Sequence, residues 1–139
     1  MTNTATTESD LDPATEDLAS KFIDGIVAGD AEAVAACCAP DVVVWHNNDN
    51  LEVPLDKVLP ILTWLYRNVS ELAYADVRRH AVTGGYVQQH VVQGTKSSNG
   101  YRLELPACLV VQVLDGLIVR LDEYLDSAVI TALTAKDPS

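Results

Sequence analysis

The chain has 139 residues, 48% hydrophobic and 21% charged, which fits one globular domain and excludes disorder and collagen-like repeats. Lys and Arg number 9 against 20 Asp and Glu, a formal net charge of -11, and so acidic a surface repels phosphate backbones and anionic lipid, which argues against nucleic-acid and membrane partners. No apolar run approaches the roughly 18–20 residues that span a bilayer, and residues 1–13 lack the apolar core of a secretory signal, so the expectation is a soluble cytoplasmic protein.

Residues 1–11 are rich in Thr, Ser and acids and read as a loose tail ahead of one domain over 12–134, with a second tail over 135–139. Asp12 followed by Pro13 is a helix start, an N-cap before a proline at the first helical position. Leu18, Phe22, Ile23, Ile26 and Val27 make one apolar stripe that ends at Gly29. Asp30 caps a short second helix, stopped by Pro40. The β-branched run over 41–46 predicts a strand, and Asn47, Asn48, Asp49 and Asn50 predict a turn. A third helix is expected over about 54–69, with a kink or late start at Pro60.

Beyond it the period changes from helical to alternating. Residues 72–82, 86–95, 101–114 and 117–125 read as four strands, separated by hairpin turns at Gly84-Gly85, residues 96–100 and Asp115-Gly116. Pro106 calls for a bulge or bend in its strand. Asp126 can cap a short C-terminal turn over 127–133. Three helices followed by an antiparallel meander predict an α+β protein, with the helices on one face of a curved sheet. Cys37 and Cys38 are adjacent and Cys108 lies in an apolar strand; no spacing suggests a disulfide or zinc site, no metal or other cofactor is implied, and Cys38 reads better as a small buried hydrophobe than as a nucleophile.

The order α-α-β-α-β-β-β-β resembles the cone-shaped NTF2-like fold, over about residues 14–133. Three stretches carry the resemblance: FIDGIVAGD over 22–30, APDVVVWHN over 39–47 and GLIVRLDEYLD over 116–126. The superfamily includes ketosteroid isomerase, limonene-epoxide hydrolase, scytalone dehydratase and the SnoaL-like polyketide cyclases. It implies a pocket between helices and concave sheet face, and homodimerisation through the convex face. Function does not follow from the fold, which hosts catalysts and binders alike.

In such a cone a polar residue interrupting an apolar stripe marks the pocket. Alternation puts Leu117, Val119, Leu121, Glu123 and Leu125 on one face, so Glu123 is a lone carboxylate among aliphatics, and lost hydration would suit it to proton transfer. An ion pair with Arg79 or Arg102 is the structural alternative. His90 shares a face with Gln88 and Val92; an imidazole opposite a carboxylate is a common acid/base arrangement, and a satisfied core histidine is the alternative. Gln88 would then orient a ligand. Trp45 and Asn47 share a face, the tryptophan as a flat wall and the asparagine as a donor and acceptor, with His46 lateral to the pocket unless a bulge exchanges it with Asn47.

The resemblance adds particular positions. The tyrosine of ketosteroid isomerases falls on Phe22, their base on His46 or Asn47, and their acidic oxyanion donor on aliphatic Leu109 or Val110, so ordinary steroid isomerisation is not expected. Limonene-epoxide hydrolases carry a last-strand motif similar to Asp122-Glu123-Tyr124-Leu125-Asp126, in which Glu123 matches the water-activating carboxylate. Their Tyr-x-Asn resembles Trp45-His46-Asn47, and their Arg-x-Asp falls on His90-Val91-Val92, where Val92 replaces the acid. The expectation is a cofactor-independent acid/base enzyme with Glu123 and His90 as the working pair. Trp45, Asn47, Gln88, Phe22, His46 and Val92 would contact a small hydrophobic oxygenated ligand such as a polyketide, terpenoid or steroid. A non-catalytic ligand binder and a protein-interaction module are the other two readings.

Overall fold

A computed structural model of the chain describes residues 7–137. The elements are β1 (Thr7–Ser9), α1 (Pro13–Ala28), α2 (Ala31–Ala36), β2 (Cys38–His46), β3 (Leu51–Pro54), α3 (Leu55–Asn68), β4 (Val69–Val82), β5 (Gly85–Lys96), β6 (Arg102–Leu114), β7 (Leu117–Leu125) and α4 (Ser127–Thr134). The Asp12 carboxylate accepts from the Thr15 amide at 2.8 Å, and Gly29 closes α1 in the left-handed conformation at φ 69°, as the sequence signals demand. Asp30 and Asp126 cap α2 and α4 through the amides of Ala33 and Ala128. α3 runs through Pro60 without interruption. No helix among the described residues is long and apolar enough to cross a membrane.

The α+β architecture is the expected one, with two additions at its edges. The sheet has seven strands in the order β1-β4-β5-β6-β7-β2-β3. Thr7–Ser9, expected within a loose tail, pairs parallel with β4, while residues 1–6 of that tail lie outside the described residues, as do 138–139 of the C-terminal tail. β3 closes a hairpin with β2 across the Asn-rich turn. The sheet is therefore mixed: β2 lies parallel to β7, with His46 opposite Glu123, and only the central β4 to β7 run is an antiparallel meander. At the β6–β7 hairpin Asp115 (φ 53°) and Gly116 (φ 78°) are both left-handed, the geometry that keeps tightly connected strands in twist.

Bulges bend the sheet. Register slips by one residue in β4 between Ser70 and Ala73 and again between Ala75 and Arg78, and slips once more between β6 and β7 beside Gln112. The left-handed residues at the two β4 slips are Glu71 (φ 56°) and Asp76 (φ 54°). Each slip exchanges the inward and outward faces. Val69 is buried ahead of the first, Tyr74 faces inward between them, and Val77 and Arg79 are buried beyond the second. In β7 the slip puts Ile118 rather than Val119 on the inner face with Leu121 and Glu123.

Burial divides into two apolar clusters. One joins Phe22, Ile23 and Ile26 of α1 and Val34 of α2 to Val42, Val44, Leu109, Val111, Ile118 and Leu121 of the sheet. The second gathers Val69, Val92, Leu103 and Leu105 beneath Leu133 of α4. Tyr74 packs against both. Removing this much apolar surface from water is the main stabilisation of the fold.

Candidate functional site

Two cavities open between the helices and the concave face. The inner one, of about 50 Å³, lies among Phe22, Ile26, Val42, Val44, Leu109 and Ile118. The outer one, of about 330 Å³, is walled by Trp64 and Leu65 of α3, Val92, Leu103 and Leu105 of the sheet, and Ile130 and Leu133 of α4. They share His46, Val58, Leu62, Tyr74 and Glu123, so the polar groups common to both are an imidazole, a phenol and a carboxylate.

His46 and Glu123 end parallel neighbours at the same level, which aims both side chains inward. His46 Nε2 stands 2.8 Å from Glu123 Oε1, with the two side chains 21% and 17% exposed. Burial by itself would lower the imidazole pKa, but the hydrogen bond and charge of Glu123, with Asp49 adding, outweigh it and hold His46 above its ordinary value. An imidazole and a carboxylate thus stand within hydrogen-bond distance at the head of a largely apolar cavity. Such a pair can take a proton from a bound carbon or oxygen acid and return it.

The structure does not pair Glu123 with His90. His90 is 3% exposed and belongs to a separate chain of contacts behind the cavity wall. Arg79 Nη1 donates to Glu16 Oε2 at 2.6 Å and to Ser20 Oγ at 3.0 Å, while its Nε donates to Gln88 Oε1 at 2.8 Å. Arginine cannot accept, so this bond fixes the Gln88 amide with its NH2 toward His90 Nδ1 at 3.0 Å. That NH2 needs a lone pair on Nδ1, and His90 is therefore the neutral Nε2–H tautomer. Its Nε2 is buried without a hydrogen-bond partner among the described residues. Burial pushes the pKa down to about 4, opposed by the Glu123 charge and aided by that of Arg79. Gln88 is fully buried inside this chain and lines neither cavity.

Phe22 lines the inner cavity and Val92 the outer one. Trp45 faces the other side of the sheet, where its Nε1 donates to Asn50 Oδ1 at 2.9 Å and its ring meets Tyr124 edge-on at 5.1 Å. The strand alternation is intact, but Val42, Val44 and His46 take the inner phase. Asn47 clasps the end of β7: its Nδ2 donates to the Leu125 carbonyl at 3.1 Å and its Oδ1 accepts from the Leu125 amide at 2.9 Å, leaving it committed to backbone. Neither Arg79 nor Arg102 reaches Glu123; Arg102 pairs with Glu104. His80 is exposed and meets Gln89 across the β4–β5 pair. Cys38 is a buried thiol donating to the Val34 carbonyl, its pKa pushed up by burial to about 12, which leaves it no thiolate for nucleophilic work.

Tyr74 and Arg79 carry no signal in a simple alternation, because the two bulges of β4 set their phase. Tyr74 lies tilted on His90, with ring centroids 4.5 Å apart and planes at 35°. Burial and the charge of Glu123 both hold its proton in place. Among the described residues, no group of three or more His, Cys, Asp or Glu is arranged to hold a metal ion.

A family model described as the SnoaL-like domain matches residues 19–121. Several solved structures share the fold. A proposed isomerase from Bacillus subtilis superposes with a TM-score of 0.74 at 12% identity, over 86% of this chain and 91% of its own. A proposed polyketide cyclase from Silicibacter sp. TM1040 gives 0.72 at 20% identity, over 88% and 96%. A protein with a ketosteroid isomerase-like fold from Catenulispora acidiphila, solved with trimethylamine, gives 0.73 at 8% identity, over 88% and 95%. No curated protein matches the chain.

Proposed function

This chain belongs to the SnoaL-like domain family, and from that membership and the contents of its cavity we propose that it is a cofactor-independent acid/base enzyme acting on a small, apolar, oxygenated molecule. One observation carries the reading: the His46–Glu123 pair, at 2.8 Å, heads a cavity whose other walls are largely aliphatic and aromatic. In such a site a carboxylate is poorly hydrated, so a nearby carbon acid competes well for its basic oxygen. Glu123 takes a proton from the carbon beside a carbonyl and the bond pair moves onto the carbonyl oxygen as an enolate. Return of the proton to a conjugated carbon completes an isomerisation, and attack of the enolate carbon on a second carbonyl, whose new alkoxide takes the proton back from Glu123, gives an aldol cyclisation. His46 balances the charge of Glu123 and fixes its direction. Phe22 and Val92 shape the apolar walls.

The outer cavity, about 330 Å³, lies at the small end of the roughly 300–1,000 Å³ of ligand pockets, which suits one- or two-ring polyketide or terpenoid compounds better than a four-ring steroid. The same reading takes the outer sheet face around Trp45 and Tyr124 as a homodimer surface, to be checked by sedimentation.

The direct assay is hydrogen–deuterium exchange at C2 of 1-tetralone in D2O, followed by proton NMR. The wild type accelerates exchange, and Glu123→Gln slows the catalysed reaction by about 10²-fold or more. Equal rates in the two proteins, or no acceleration by the wild type, would refute the acid/base reading and leave a ligand-binding protein.

A further inference from the structure

We infer that Tyr74 is a third ligand-contacting group of this site, its hydroxyl donating to the carbonyl oxygen of an uncharged ketone or aldehyde. The inference rests on the reading of the cavity as a ligand site and adds the class of ligand and the group that orients it.

The position of Tyr74 is built against the local backbone. With unbroken alternation in β4, the face holding Val69, Val77 and Arg79 would be the buried one throughout, and Tyr74 would point away from the helices. Two one-residue slips, one on each side, reverse the phase over this short segment and turn the phenol inward. Each has a non-glycine residue in the left-handed region, Glu71 at φ 56° and Asp76 at φ 54°. The strand gains nothing locally from left-handed residues that are not glycine, and bulges of this kind cluster where a side chain must be re-aimed.

The phenol is then held from behind. Its ring rests on His90, which Gln88 holds through Nδ1; Arg79 holds Gln88, and Glu16 and Ser20 on α1 hold Arg79. Behind the ring contact every link is a directional hydrogen bond, so the support of His90 has one orientation. Tyr74 stands at the junction of the two cavities with His46 and Glu123, and it packs against both apolar clusters.

The ligand class follows from charge and donor count. The cavity walls include Glu123 and Asp49 but, among the described residues, no lysine or arginine. A carboxylate or phosphate ligand would meet two acids with only His46 to offset them. A phenol that keeps its proton is a donor, and it calls for an acceptor oxygen. When Glu123 removes the proton beside that carbonyl, the electron pair moves to the oxygen already facing Tyr74, where a fixed donor stabilises developing negative charge best.

Three bicyclic probes separate the possibilities: 1-tetralone, tetralin without the oxygen, and 1-naphthoate with a charge. By calorimetry the wild type should bind tetralone about five- to tenfold more tightly than tetralin, the worth of one buried hydrogen bond, and should not bind naphthoate. Tyr74→Phe keeps the ring on His90 and should lose that advantage while binding tetralin as the wild type does. The infrared carbonyl band of bound tetralone should lie at lower frequency in the wild type and move back in Tyr74→Phe. An unmoved band with equal tetralone affinity would overturn the role of Tyr74. Binding of naphthoate as tight as tetralone, or of neither neutral bicycle, would overturn the ligand class. Glu123→Gln reports on the other reading: persistent deuterium exchange there refutes the acid/base proposal while the Tyr74 results stand.

Discussion

Gln88→Glu tests the logic of the buried chain behind the cavity, because it reverses one hydrogen-bond polarity without changing shape. In the wild type the Gln88 NH2 donates to His90 Nδ1, and a protonated imidazole there would set two donors against each other. Burial acts in the same sense, and His90 falls from 6.5 to about 4. At about 1.4 kcal/mol per unit, that gap is worth about 3 kcal/mol. The sign follows from linkage: a histidine with a depressed folded-state pKa contributes stability that is full above 6.5 and is lost as pH falls toward 4. A carboxylate at position 88 would accept from Arg79 and from His90 Nδ1–H together. It should switch the imidazole to the Nδ1–H tautomer and raise its pKa. The groups facing the ring, Arg79, Glu123 and Tyr74, stay in place. Urea unfolding at pH 7 and pH 4.5 should then show a smaller acid loss in Gln88→Glu than in the wild type, by about 2 kcal/mol, with other carboxylates cancelling between the two proteins. Nitrogen-15 shifts of the ring report the tautomer directly. An Nδ1–H tautomer in the wild type, or ordinary titration of His90 near 6.5, would refute the reasoning.

Glu123→Gln should bring the His46 pKa below 6.5 in an NMR titration, since burial, the largest influence, is then opposed only by the charge of Asp49; an unchanged titration would break the proposed pairing. The extra stability from the raised His46 pKa is full below 6.5 and disappears as pH rises through its folded value, so this variant should lose about 1–3 kcal/mol near pH 6 and less near pH 9. At the β4 bulges, Glu71→Val and Asp76→Val should each cost about 1–2 kcal/mol in urea unfolding, whereas the glycine variants should not destabilise, and tolerance of valine would remove the strain argument. Lys96, 6% exposed, donates to the Ala135 carbonyl at 3.0 Å and pairs with Asp137, so Lys96→Met should speed amide exchange in α4, and unchanged exchange would mean the helix is held by its apolar face alone. Quenching by 1-tetralone should survive in Trp45→Phe and vanish in Trp64→Phe, because Trp64 and not Trp45 walls the cavity.

The helices were legible because their signals are local. Asp12, Pro13 and Gly29 bound α1, and Asp30 and Asp126 each accept from a first-turn amide, all within a few residues of chain. The Asp115-Gly116 turn is equally self-contained. Glu123 was legible for the same reason, as a carboxylate interrupting an aliphatic stripe. Its partner was not, because two histidines, His46 and His90, were available and strand alternation alone ranks neither. What chooses His46 is the parallel pairing of β2 with β7, a contact between distant parts of the chain that a meander of consecutive strands does not contain. Trp45 was misplaced by phase: Val42, Val43 and Val44 are equally apolar, so the run says strand without saying which side faces in.

Tyr74 and Arg79 show a different barrier. They lie in a strand whose pattern was readable, yet residue parity gives opposite answers for them, and both face inward because one bulge separates them. The residues that make the bulges, Glu71 and Asp76, are ordinary surface acids by type, and no glycine marks the left-handed turns. A bulge built without glycine leaves no trace in composition and changes the face of every residue beyond it. The same strand therefore holds the least predictable backbone and the phenol that joins both cavities. This follows physically, since a sheet that kept strict alternation through β4 would turn Tyr74 away from the helices and leave the cone with the His46–Glu123 pair alone. Breaking the alternation twice, at a local backbone cost of about 1–2 kcal/mol each, brings a neutral donor to a site that otherwise holds an acid and its counter-base.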